Sequence, residues 1–464
     1  MSPKTRPSFG VSVGLFLSIV GILIVGIFYL QVGIHVLLVI GVTLTALVSK
    51  RLGYTWDEIQ SAMGAGVARG MVAMFIFILI GMVIGSWIHC GAVPAVIYYG
   101  LDFLTPTTFL PLGLVICSIT SLATGTSWGT AGTIGLAMMG IGSGLGVPAP
   151  VTAGMVISGA CLGDKMSPLS DTTNLAAVSA DTDLYKHIGA MMYTTIPSFL
   201  IALVAFSIIG MKYSGGAFDV EAVASIQGAL AAEFNITPLV LLPMVLVIAL
   251  SIMKVPAVPS MISGVFLGSL LSLLLQDASL AEALTAINYG FSGESSVAAV
   301  NDLLNRGGIQ SMMWTFSLSF IALSLGGALD EMGYLSVIVE GILSKVRSAA
   351  GLMTAAVLTA IVGNAAMGEA YLSIILNGRL YHKAFEKVGL RRSMLSRATE
   401  EGATLTTTII PWTTAGAFMA ATLGVPTISY LPFALLNWIN PLLSIILSHL
   451  GIFMFYRKET GERT

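Results

Sequence analysis

The chain has 464 residues, of which 56% are hydrophobic and only 9% are charged, and its mean hydropathy is +0.91. A soluble domain carries about 25% charged residues, so this composition excludes a soluble protein and predicts an integral membrane protein embedded in a lipid bilayer. The net charge of −2 carries no information about partners, but the lack of a basic patch with interleaved aromatic residues argues against nucleic acid. The three cysteines, Cys90, Cys117 and Cys161, are scattered through apolar sequence and predict neither a disulfide framework nor a metal cluster.

Apolar segments of about 20 residues, the length that crosses a bilayer as a helix, recur along the whole chain. The predicted segments are 11–30, 32–49, 70–92, 109–145, 148–181, 188–211, 236–253, 258–275, 310–330, 349–378, 399–424 and 430–456. The first follows Lys4 and Arg6 as a signal peptide would. Its apolar run is too long and lacks a small-residue cleavage site, so we interpret it as the first span.

Three segments, 109–145, 148–181 and 349–378, are too long for one simple crossing, and the distribution of Lys and Arg predicts how two of them run. Both flanks of 349–378 are basic, which favours a re-entrant hairpin that enters from the cytoplasm and returns. Neither flank of 109–145 carries Lys or Arg, which favours a hairpin that opens outside. The basic residues left outside the cytoplasm are Lys212, Arg306 and, within the membrane, Lys165. The other 18 of the 21 basic residues are then cytoplasmic, as are both termini.

This topology predicts two halves, 1–211 and 236–464, joined by an external polar loop at 212–235. Each half has five crossings and one hairpin, and because five is odd the halves have opposite orientations, as in the inverted repeats of secondary transporters. At an offset of 243, Gly125, Gly135, Gly146, Gly159 and Pro168 coincide with Gly368, Gly378, Gly389, Gly402 and Pro411. We therefore predict an all-α integral membrane fold with an inverted repeat and with helices broken at the midplane, in segments 148–181 and 399–424.

The stretch Gly163–Asn174 places two aspartates, a lysine and a proline at the centre of an apolar segment. Each ionised group there costs about 2.5–3.5 kcal/mol on insertion scales, which predicts a compensating cavity. Pro168 is expected to break the helix, and the freed carbonyls, hydroxyls and carboxylates are the oxygen ligands of a hard cation such as Na⁺. The candidate binding residues are Asp164, Lys165, Ser167, Ser170, Asp171, Thr172, Thr173 and Asn174. For Asp164 and Lys165, mutual neutralisation is the alternative.

A second motif, Thr124–Thr130, lies near the middle of the first hairpin and combines glycines with hydroxyl groups. Irregular backbone at that depth is tolerated where it is buried or lines a cavity, although small residues also serve close helix packing. The candidate residues here are Thr126, Ser127, Trp128 and Thr130.

Two further motifs belong to the second half. In Gly363–Tyr371, Glu369 lies where the first hairpin has Thr126, and a lone intramembrane carboxylate is a functional-site hypothesis by default. A buried partner such as Arg379 or Lys165 is the alternative reading of that carboxylate. The segment Thr404–Thr414 has the proline break without the aspartates, which suggests two related oxygen sites of unequal charge. The candidates in these motifs are Asn364, Glu369, Trp412, Thr413 and Thr414.

The remaining polar residues point to no catalytic chemistry. The sequence contains no P-loop, no His/Cys metal spacing and no Ser-His-Asp set, so we predict neither an enzyme nor ATP-driven transport. Segments 53–66 and 278–305 are expected to lie flat on opposite faces of the membrane. Five acidic residues near predicted span ends are expected to be solvated, namely Asp330, Glu331, Glu340, Glu400 and Glu401.

The motifs Gly125–Thr130 and Gly163–Asn174 resemble the signatures of the NhaC family of Na⁺/H⁺ antiporters, in the ion-transporter superfamily. The resemblance covers the whole chain in length, hydropathy and motif order. It implies secondary transport across the bacterial cytoplasmic membrane, with Na⁺ coupled to H⁺, with Na⁺ as the transported or coupling ion rather than any cofactor, and with a homodimer. By position, it implies a first site of Ser127, Asp164, Ser167, Asp171, Thr172 and Asn174, with Na⁺ at Ser127, Asp171, Thr172 and Asn174. By repeat analogy it implies a second site of Asn364, Glu369, Thr413 and Thr414.

Three functions are compatible with these patterns. The first is exchange of Na⁺ for H⁺ by alternating access, with both cations competing for carboxylates. The second is Na⁺/H⁺-coupled exchange of an organic acid or amino acid, since the resembled family includes a malate/lactate exchanger and relatives proposed to move amino acids. The third is a channel, which the inverted repeat disfavours. We find no centrally placed arginine in the sequence, and this favours cation exchange over anion exchange.

Overall fold

A computed structural model describes residues 5–213, 220–295 and 297–457, and these residues are almost entirely helical. The helices of the first part are α1 (Phe9–Ile24), α2 (Ile34–Arg51), α3 (Trp56–Arg69), α4 (Met71–His89), α5 (Ala92–Phe103), α6 (Pro106–Thr124), α7 (Ser127–Thr130), α8 (Leu136–Gly144), α9 (Ala149–Met166), α10 (Asp171–Ser179), α11 (Leu184–Tyr213) and α12 (Val220–Glu233). Those of the second part are α13 (Leu242–Ile252), α14 (Ala257–Leu275), α15 (Leu280–Tyr289), α16 (Ala298–Leu304), α17 (Gly308–Ser311), α18 (Met313–Glu331), α19 (Tyr334–Leu343), α20 (Ala349–Met367), α21 (Ala370–Lys387), α22 (Arg392–Thr407), α23 (Thr414–Leu423), α24 (Thr427–Tyr430) and α25 (Leu435–His449).

Eight helices in the described part of the chain are long and apolar enough to cross a membrane. They are Phe9–Tyr29, Ile34–Arg51, Met71–His89, Pro106–Thr124, Leu184–Tyr213, Ala257–Leu275, Met313–Glu331 and Ala349–Met367. Two bent pairs raise the number to 10: Val223–Glu233 with Pro238–Ile252, bent by 89°, and Thr414–Leu423 with Thr427–Phe433, bent by 86°. The prediction of an all-helical, multi-pass membrane protein is confirmed.

Helix breaks occur inside all four segments that the sequence singled out. Gly125 and Gly368 both adopt left-handed backbone, with φ of +72° and +69°, and they end α6 and α20. The other two breaks separate α9 from α10 and α22 from α23. The four breaks lie in the two predicted hairpins and the two predicted broken helices.

Helix boundaries recur with the spacing seen in the sequence. Pro106 and Ala349, which begin α6 and α20, are 243 positions apart, as are Asp171 and Thr414, which begin α10 and α23. The packing recurs too, because α6 packs on α9 through Gly159, and α20 packs on α22. Two pairs of helix starts and one pair of helix contacts therefore recur at the offset of 243 residues.

The connections differ from simple loops. The predicted loop 212–235 contains α12, and its residues 214–219 lie outside the described residues, as do Lys4, Lys458 and Arg463. Segment 53–66 falls on α3, which begins with a capping box formed by Thr55 and Glu58. Segment 278–305 contains α15 and α16.

Candidate ion-binding cavity

The first break, residues 167–170, is held by hydroxyl groups. The Ser170 hydroxyl accepts a hydrogen bond from the backbone N–H of Thr173 and so caps α10. The Ser167 hydroxyl donates to the carbonyl of Leu122 at 2.8 Å, which fixes the break against the end of α6. The Thr173 hydroxyl donates back to the carbonyls at the end of α9. These bonds satisfy backbone groups that a broken helix leaves without partners.

Asp164 joins this break to the tip of the first hairpin. Its Oδ2 accepts bonds from the hydroxyl and the backbone N–H of Ser127, at 2.6 and 3.2 Å, and its Oδ1 accepts from the Ser170 hydroxyl at 2.6 Å. Lys165 points elsewhere, because its Nζ donates to Oδ1 of Asn440 at 2.7 Å and lies 3.8 Å from Oε1 of Glu401. Asp164 and Lys165 therefore do not neutralise each other, and within the described part of the chain Asp164 forms hydrogen bonds but no ion pair.

Asp171 is the first residue of α10, and its carboxylate is exposed. The Tyr371 hydroxyl donates to its Oδ2 at 2.6 Å, and Tyr371 belongs to the second half of the chain. On the same turn, Nδ2 of Asn174 donates to the carbonyls of Pro168 and Ser170, which leaves its amide oxygen free to accept a ligand. The Asp171 carboxylate is thus exposed at a place where residues from both halves of the chain meet.

The tip of the second hairpin carries Glu369. Its Oε1 accepts from the backbone N–H of Ala370 at 2.9 Å, and its Oε2 accepts from the Thr414 hydroxyl at 2.5 Å. The Thr414 N–H donates to the carbonyl of Gly368 at 2.8 Å. These partners replace the buried Arg379 or Lys165 that the sequence left open, so among the described residues the Glu369 carboxylate has no paired cation.

The other candidates of the second half form hydrogen bonds with backbone groups. Asn364 donates through Nδ2 to the carbonyl of Ala403 at 2.7 Å, and Trp412 donates through Nε1 to the carbonyl of Ala365 at 2.7 Å. The Thr413 hydroxyl accepts from the N–H of Gly416 at 3.0 Å and caps α23. None of these three lines the cavity described next.

A cavity of about 730 Å³ lies where the hairpin tips and broken helices meet, and it collects the carboxylates of Asp164, Asp171 and Glu369. The other predicted residues on its wall are Thr126, Ser127, Trp128, Thr172 and Asn174. The predicted residues that are not on its wall are Thr130, Lys165, Ser167, Ser170, Thr173, Asn364, Trp412, Thr413 and Thr414. Within the described ranges no three His, Cys, Asp or Glu side chains converge as metal ligands. A cation here would therefore be held by a carboxylate together with hydroxyl, amide or water oxygens.

Several lining residues were missed in the sequence. Tyr371 lines the cavity and lies only two positions after Glu369. Its closeness to a predicted site residue was the one feature of the sequence that could have identified it. Thr404, Thr407 and Thr408 also line the cavity, as do the exposed Arg69 and Lys254. Arg69 also forms ion pairs, one of them with Asp330 at 2.8 Å and the other with Glu331, so these acidic residues are paired rather than simply solvated.

The expectation that Glu400 and Glu401 are solvated is wrong. Both are fully buried, as is Arg397 on the same helix. The sequence argument that no arginine is centrally placed also overlooked the buried Arg397. The reason is that α22 is enclosed by neighbouring helices, since every residue from Ser393 to Thr407 is buried.

Comparison with known proteins identifies the family. Residues 159–452 match the model described as "Na+/H+ antiporter family". The chain belongs to the Na⁺/H⁺ antiporter family. The predicted resemblance to NhaC is confirmed: the antiporter is 39% identical to Na(+)/H(+) antiporter NhaC of Alkalihalophilus pseudofirmus (strain ATCC BAA-2126 / JCM 17055 / OF4), over 95% of this chain and 96% of that protein.

Two other relatives are equally similar and carry different names. The Malate-2H(+)/Na(+)-lactate antiporter of Bacillus subtilis (strain 168) is 39% identical over 93% of this chain and 92% of its own length. The arginine/ornithine antiporter ArcD of Halobacterium salinarum (strain ATCC 700922 / JCM 11081 / NRC-1) is 39% identical over 99% and 95%. A solved structure of Neisseria gonorrhoeae MtrF aligns with a TM-score of 0.33 and 15% identity over 84% of each chain, which does not bear on the fold.

Proposed function

We propose that this protein is a secondary active transporter that exchanges Na⁺ for H⁺ across the cytoplasmic membrane by alternating access. One observation carries the proposal: the exposed carboxylate of Asp171 faces a cavity that collects two more carboxylates, Asp164 and Glu369, one from each half of the chain. Such a carboxylate binds either a proton or Na⁺, so the two cations compete for one site. Alternating exposure of that site then couples their movements in opposite directions.

The proposed Na⁺ site is built around Asp171. The Ser127 hydroxyl oxygen and the free amide oxygen of Asn174 are the neutral ligands, and water completes the shell. Asp164 acts as support, because both of its oxygens already accept bonds from Ser127 and Ser170. Thr172 belongs to the same ligand set, because the Ser170 proton is donated to Asp164, so the Thr172 hydroxyl donates to Ser170 at 3.0 Å and keeps its oxygen lone pairs for a cation.

The proposed architecture is the inverted repeat, with halves 1–211 and 236–464, the connection 212–235 outside, hairpins 109–145 and 349–378, and both termini cytoplasmic. The equal spacing of helix starts and the matching left-handed glycines at the two tips support it. Half-helices that meet at a shared cavity are the arrangement that such carriers use. The homodimer implied by the resemblance remains part of the proposal, and cross-linking of single-cysteine variants in membranes tests it.

A second candidate function is Na⁺/H⁺-coupled exchange of an organic acid or amino acid. The cavity of about 730 Å³ favours it, because this volume lies in the range of sites that hold small organic molecules. Arg69 and Lys254 also line the cavity and offer cationic groups to a substrate carboxylate. The names of the B. subtilis and H. salinarum relatives make malate, lactate, arginine and ornithine the first solutes to test.

Flux in proteoliposomes separates these functions. An inward Na⁺ gradient is imposed on vesicles that contain a pH-sensitive dye, with and without each organic solute, and protein-free vesicles serve as the control. Proton efflux driven by Na⁺ alone is the expected result for simple exchange. Proton movement that requires malate, lactate, arginine or ornithine would establish the second function instead. Flux that does not saturate and shows no countertransport would indicate a channel and contradict both.

A further inference from the structure

Four ionisable side chains lie together outside the cavity wall, and the proposed Na⁺ site does not use them. We call Lys165, Arg397, Glu400 and Glu401 the buried charge cluster, since all four are 0% exposed. They come from α9 and α22, which are in contact. Burying a charge is expensive unless it is paired and hydrogen-bonded, so the partners of each member decide what the cluster does.

Glu401 forms ion pairs with both cations of the cluster, Lys165 and Arg397. Its Oε1 is 3.8 Å from Nζ of Lys165 and 3.8 Å from Nε of Arg397, and it also accepts a hydrogen bond from the Thr194 hydroxyl. Glu401 is therefore a fixed counter-charge. Both 3.8 Å separations are longer than a direct charge-assisted hydrogen bond. The two ion pairs therefore link α9 and α22 without using all the hydrogen-bonding capacity of these side chains.

Glu400 has no such partner. Within the described residues it forms no ion pair, and Lys165 acts on it only at longer range. Its Oε1 accepts a bond from the Thr404 hydroxyl at 2.8 Å, and its Oε2, like that of Glu401, is buried with no hydrogen-bond partner among the described residues. A buried carboxyl group without a paired cation is most stable in its neutral form, which carries a proton.

Thr404 connects Glu400 to the cavity. It lies one turn further along α22, its side chain lines the cavity, and its hydroxyl donates to Glu400. The hydroxyl oxygen keeps lone pairs that can accept a proton from water in the cavity. Glu400 does not itself line the cavity, but the Thr404 hydroxyl connects it by a hydrogen bond to the cavity that Asp171 also lines.

Besides α23, which follows it in the chain, six of the described helices pack on α22: α9, α10, α11, α20, α21 and α25. Of these, α10 contributes the Thr172 hydroxyl, which acts on Glu400, and neither α20 nor α23 contains a titratable residue. The charged and titratable groups around Glu400 are Asp164 and Lys165 of α9, His187 of α11, and Arg397 and Glu401 of α22 itself. α25 contributes the amide of Asn440, which accepts a hydrogen bond from Lys165.

Lys165 and Arg397 exceed Glu401 by one positive charge, so an ionised Glu400 makes the cluster neutral and a protonated Glu400 leaves it with a net charge of +1. Glu400 forms no ion pair within the described residues, so it is the member whose protonation can change without breaking one.

We propose that Glu400 is a second proton-binding site of the transport cycle, separate from the carboxylates that bind Na⁺, and that Thr404 is the relay between it and the cavity. The proposal rests on the proposed exchange of Na⁺ for H⁺. In the transfer, the Thr404 O–H bond breaks as an O–H bond forms on Glu400, and a cavity water, as hydronium, returns a proton to the Thr404 oxygen. The reverse transfer releases the proton when the cavity opens to the other side.

The stoichiometry of exchange tests the proposal. In proteoliposomes with clamped membrane potential and pH gradient, the Na⁺ gradient at zero net ²²Na⁺ flux gives the number of protons exchanged per Na⁺. Glu400→Gln, which keeps the size of the side chain, is expected to lower that number by about one proton per cycle, while Na⁺/Na⁺ exchange persists. Glu340→Gln, at an exposed glutamate paired with Arg6, is the control and is expected to keep the wild-type ratio.

An unchanged ratio in Glu400→Gln overturns the proposal. So does the loss of Na⁺/Na⁺ exchange in a folded Glu400→Gln protein, because that outcome assigns Glu400 a structural role. If the wild-type protein couples no protons to Na⁺ at all, the proposed function itself fails, and this result is distinct from both.

Thr404→Val provides a second test that does not depend on the folding of Glu400→Gln. Loss of the relay hydroxyl is expected to slow Na⁺-driven proton flux about tenfold or more, with Na⁺/Na⁺ exchange retained. Thr399→Val is the matched control, since Thr399 is buried on the same helix and its hydroxyl has no hydrogen-bond partner among the described residues. Equal proton flux in the two variants would rule out Thr404 as the relay and overturn the proposal.

Discussion

The two broken helices that face the cavity share a backbone design but differ in charge. In each, a hydroxyl residue, Ser170 or Thr413, caps the second half-helix by accepting the N–H three residues on. The aspartates beside the first break have neutral counterparts in the second, because Asp164 corresponds to Thr407 and Asp171 to Thr414 at an offset of 243. The second half carries its carboxylate on the hairpin tip instead.

The hairpin tips complete the comparison. In the first half a carboxylate at the break, Asp164, accepts from a hydroxyl at the tip, Ser127. In the second half a carboxylate at the tip, Glu369, accepts from a hydroxyl at the break, Thr414. Each half therefore contains one carboxylate–hydroxyl link between tip and break, with the roles exchanged. Asp171 is the carboxylate left over, which is why we place the exchanged cation there.

The largest effect is expected at that unmatched carboxylate. Asp171→Asn keeps the shape of the side chain but removes the charge that Na⁺ and H⁺ compete for, so Na⁺-driven proton flux should be abolished. The measurement is dye-reported proton flux in proteoliposomes. Asp183→Asn is the matched control, because Asp183 is exposed and accepts N–H bonds at the start of α11, a role that Asn fills equally well. Normal exchange by Asp171→Asn would refute the central assignment.

A smaller effect is expected at the carboxylate of the second tip. Glu369→Gln keeps an oxygen that can accept the Thr414 bond but removes the charge from the cavity, so the apparent affinity for Na⁺ should fall by about tenfold, equivalent to about 1.4 kcal/mol. The concentration dependence of ²²Na⁺ uptake measures it, with Glu340→Gln as the control. A loss as complete as that of Asp171→Asn would mean that the two carboxylates form one indivisible site.

The glycines at the two tips should differ in what they tolerate. Alanine in left-handed backbone costs about 1–2 kcal/mol at either tip. A Cβ at Gly125 would also lie 2.7 Å from Cβ and 2.8 Å from the carbonyl carbon of Leu169, whereas a Cβ at Gly368 would lie 3.1 Å from Cβ of Ala322. We expect Gly125→Ala to lower the thermal unfolding midpoint in detergent more than Gly368→Ala does.

Gly389→Ala isolates the backbone contribution to that comparison. Gly389 has φ of +74° and no atom within 4 Å of a Cβ placed on it, so this variant should show the smallest loss of the three. Equal midpoints for Gly125→Ala and Gly389→Ala would show that close contact between a Cβ at position 125 and Leu169 does not destabilise the protein.

The smallest effect is expected at the far end of α21, outside the hydrophobic segments. Arg457 donates to Glu386 at 2.9 Å and, with nearby His382, holds the pKa of Glu386 below its usual value. A lowered pKa in the folded state stabilises the protein above the unfolded pKa, near 4.5, and this contribution is lost as the pH falls through the folded pKa. Glu386→Gln should therefore reduce stability by about 1 kcal/mol or less at pH 7.

The pH dependence checks the origin of that effect. The difference between the unfolding midpoints of wild type and Glu386→Gln should shrink toward zero in acid, where the wild-type carboxyl is protonated. A difference that persists unchanged at pH 3 would show that Glu386 acts through packing and not through its charge. Glu340→Gln, which loses a single pair with Arg6, should have a smaller effect at pH 7.

The breaks and the carboxylates were predictable from the sequence. Pro168, the tip glycines and the capping hydroxyls act on the backbone within a few residues, so their effect depends little on distant parts of the chain. The cost of charge in an apolar segment likewise marked Asp171 and Glu369 without any knowledge of their neighbours. The low fraction of charged residues and the high mean hydropathy identified a multi-pass helical membrane protein without any knowledge of its contacts.

The tertiary structure decided which of these groups meet. Asp171 and Tyr371 are 200 positions apart, and nothing in the local sequence pairs them. The burial of Glu400 and Glu401 contradicted a local interpretation, because residues close to the end of an apolar segment face water or core according to the helix that packs against them. Local sequence sets where a helix breaks and which charges it carries, whereas the direction of each side chain and its partner depend on contacts between segments that are distant in the chain.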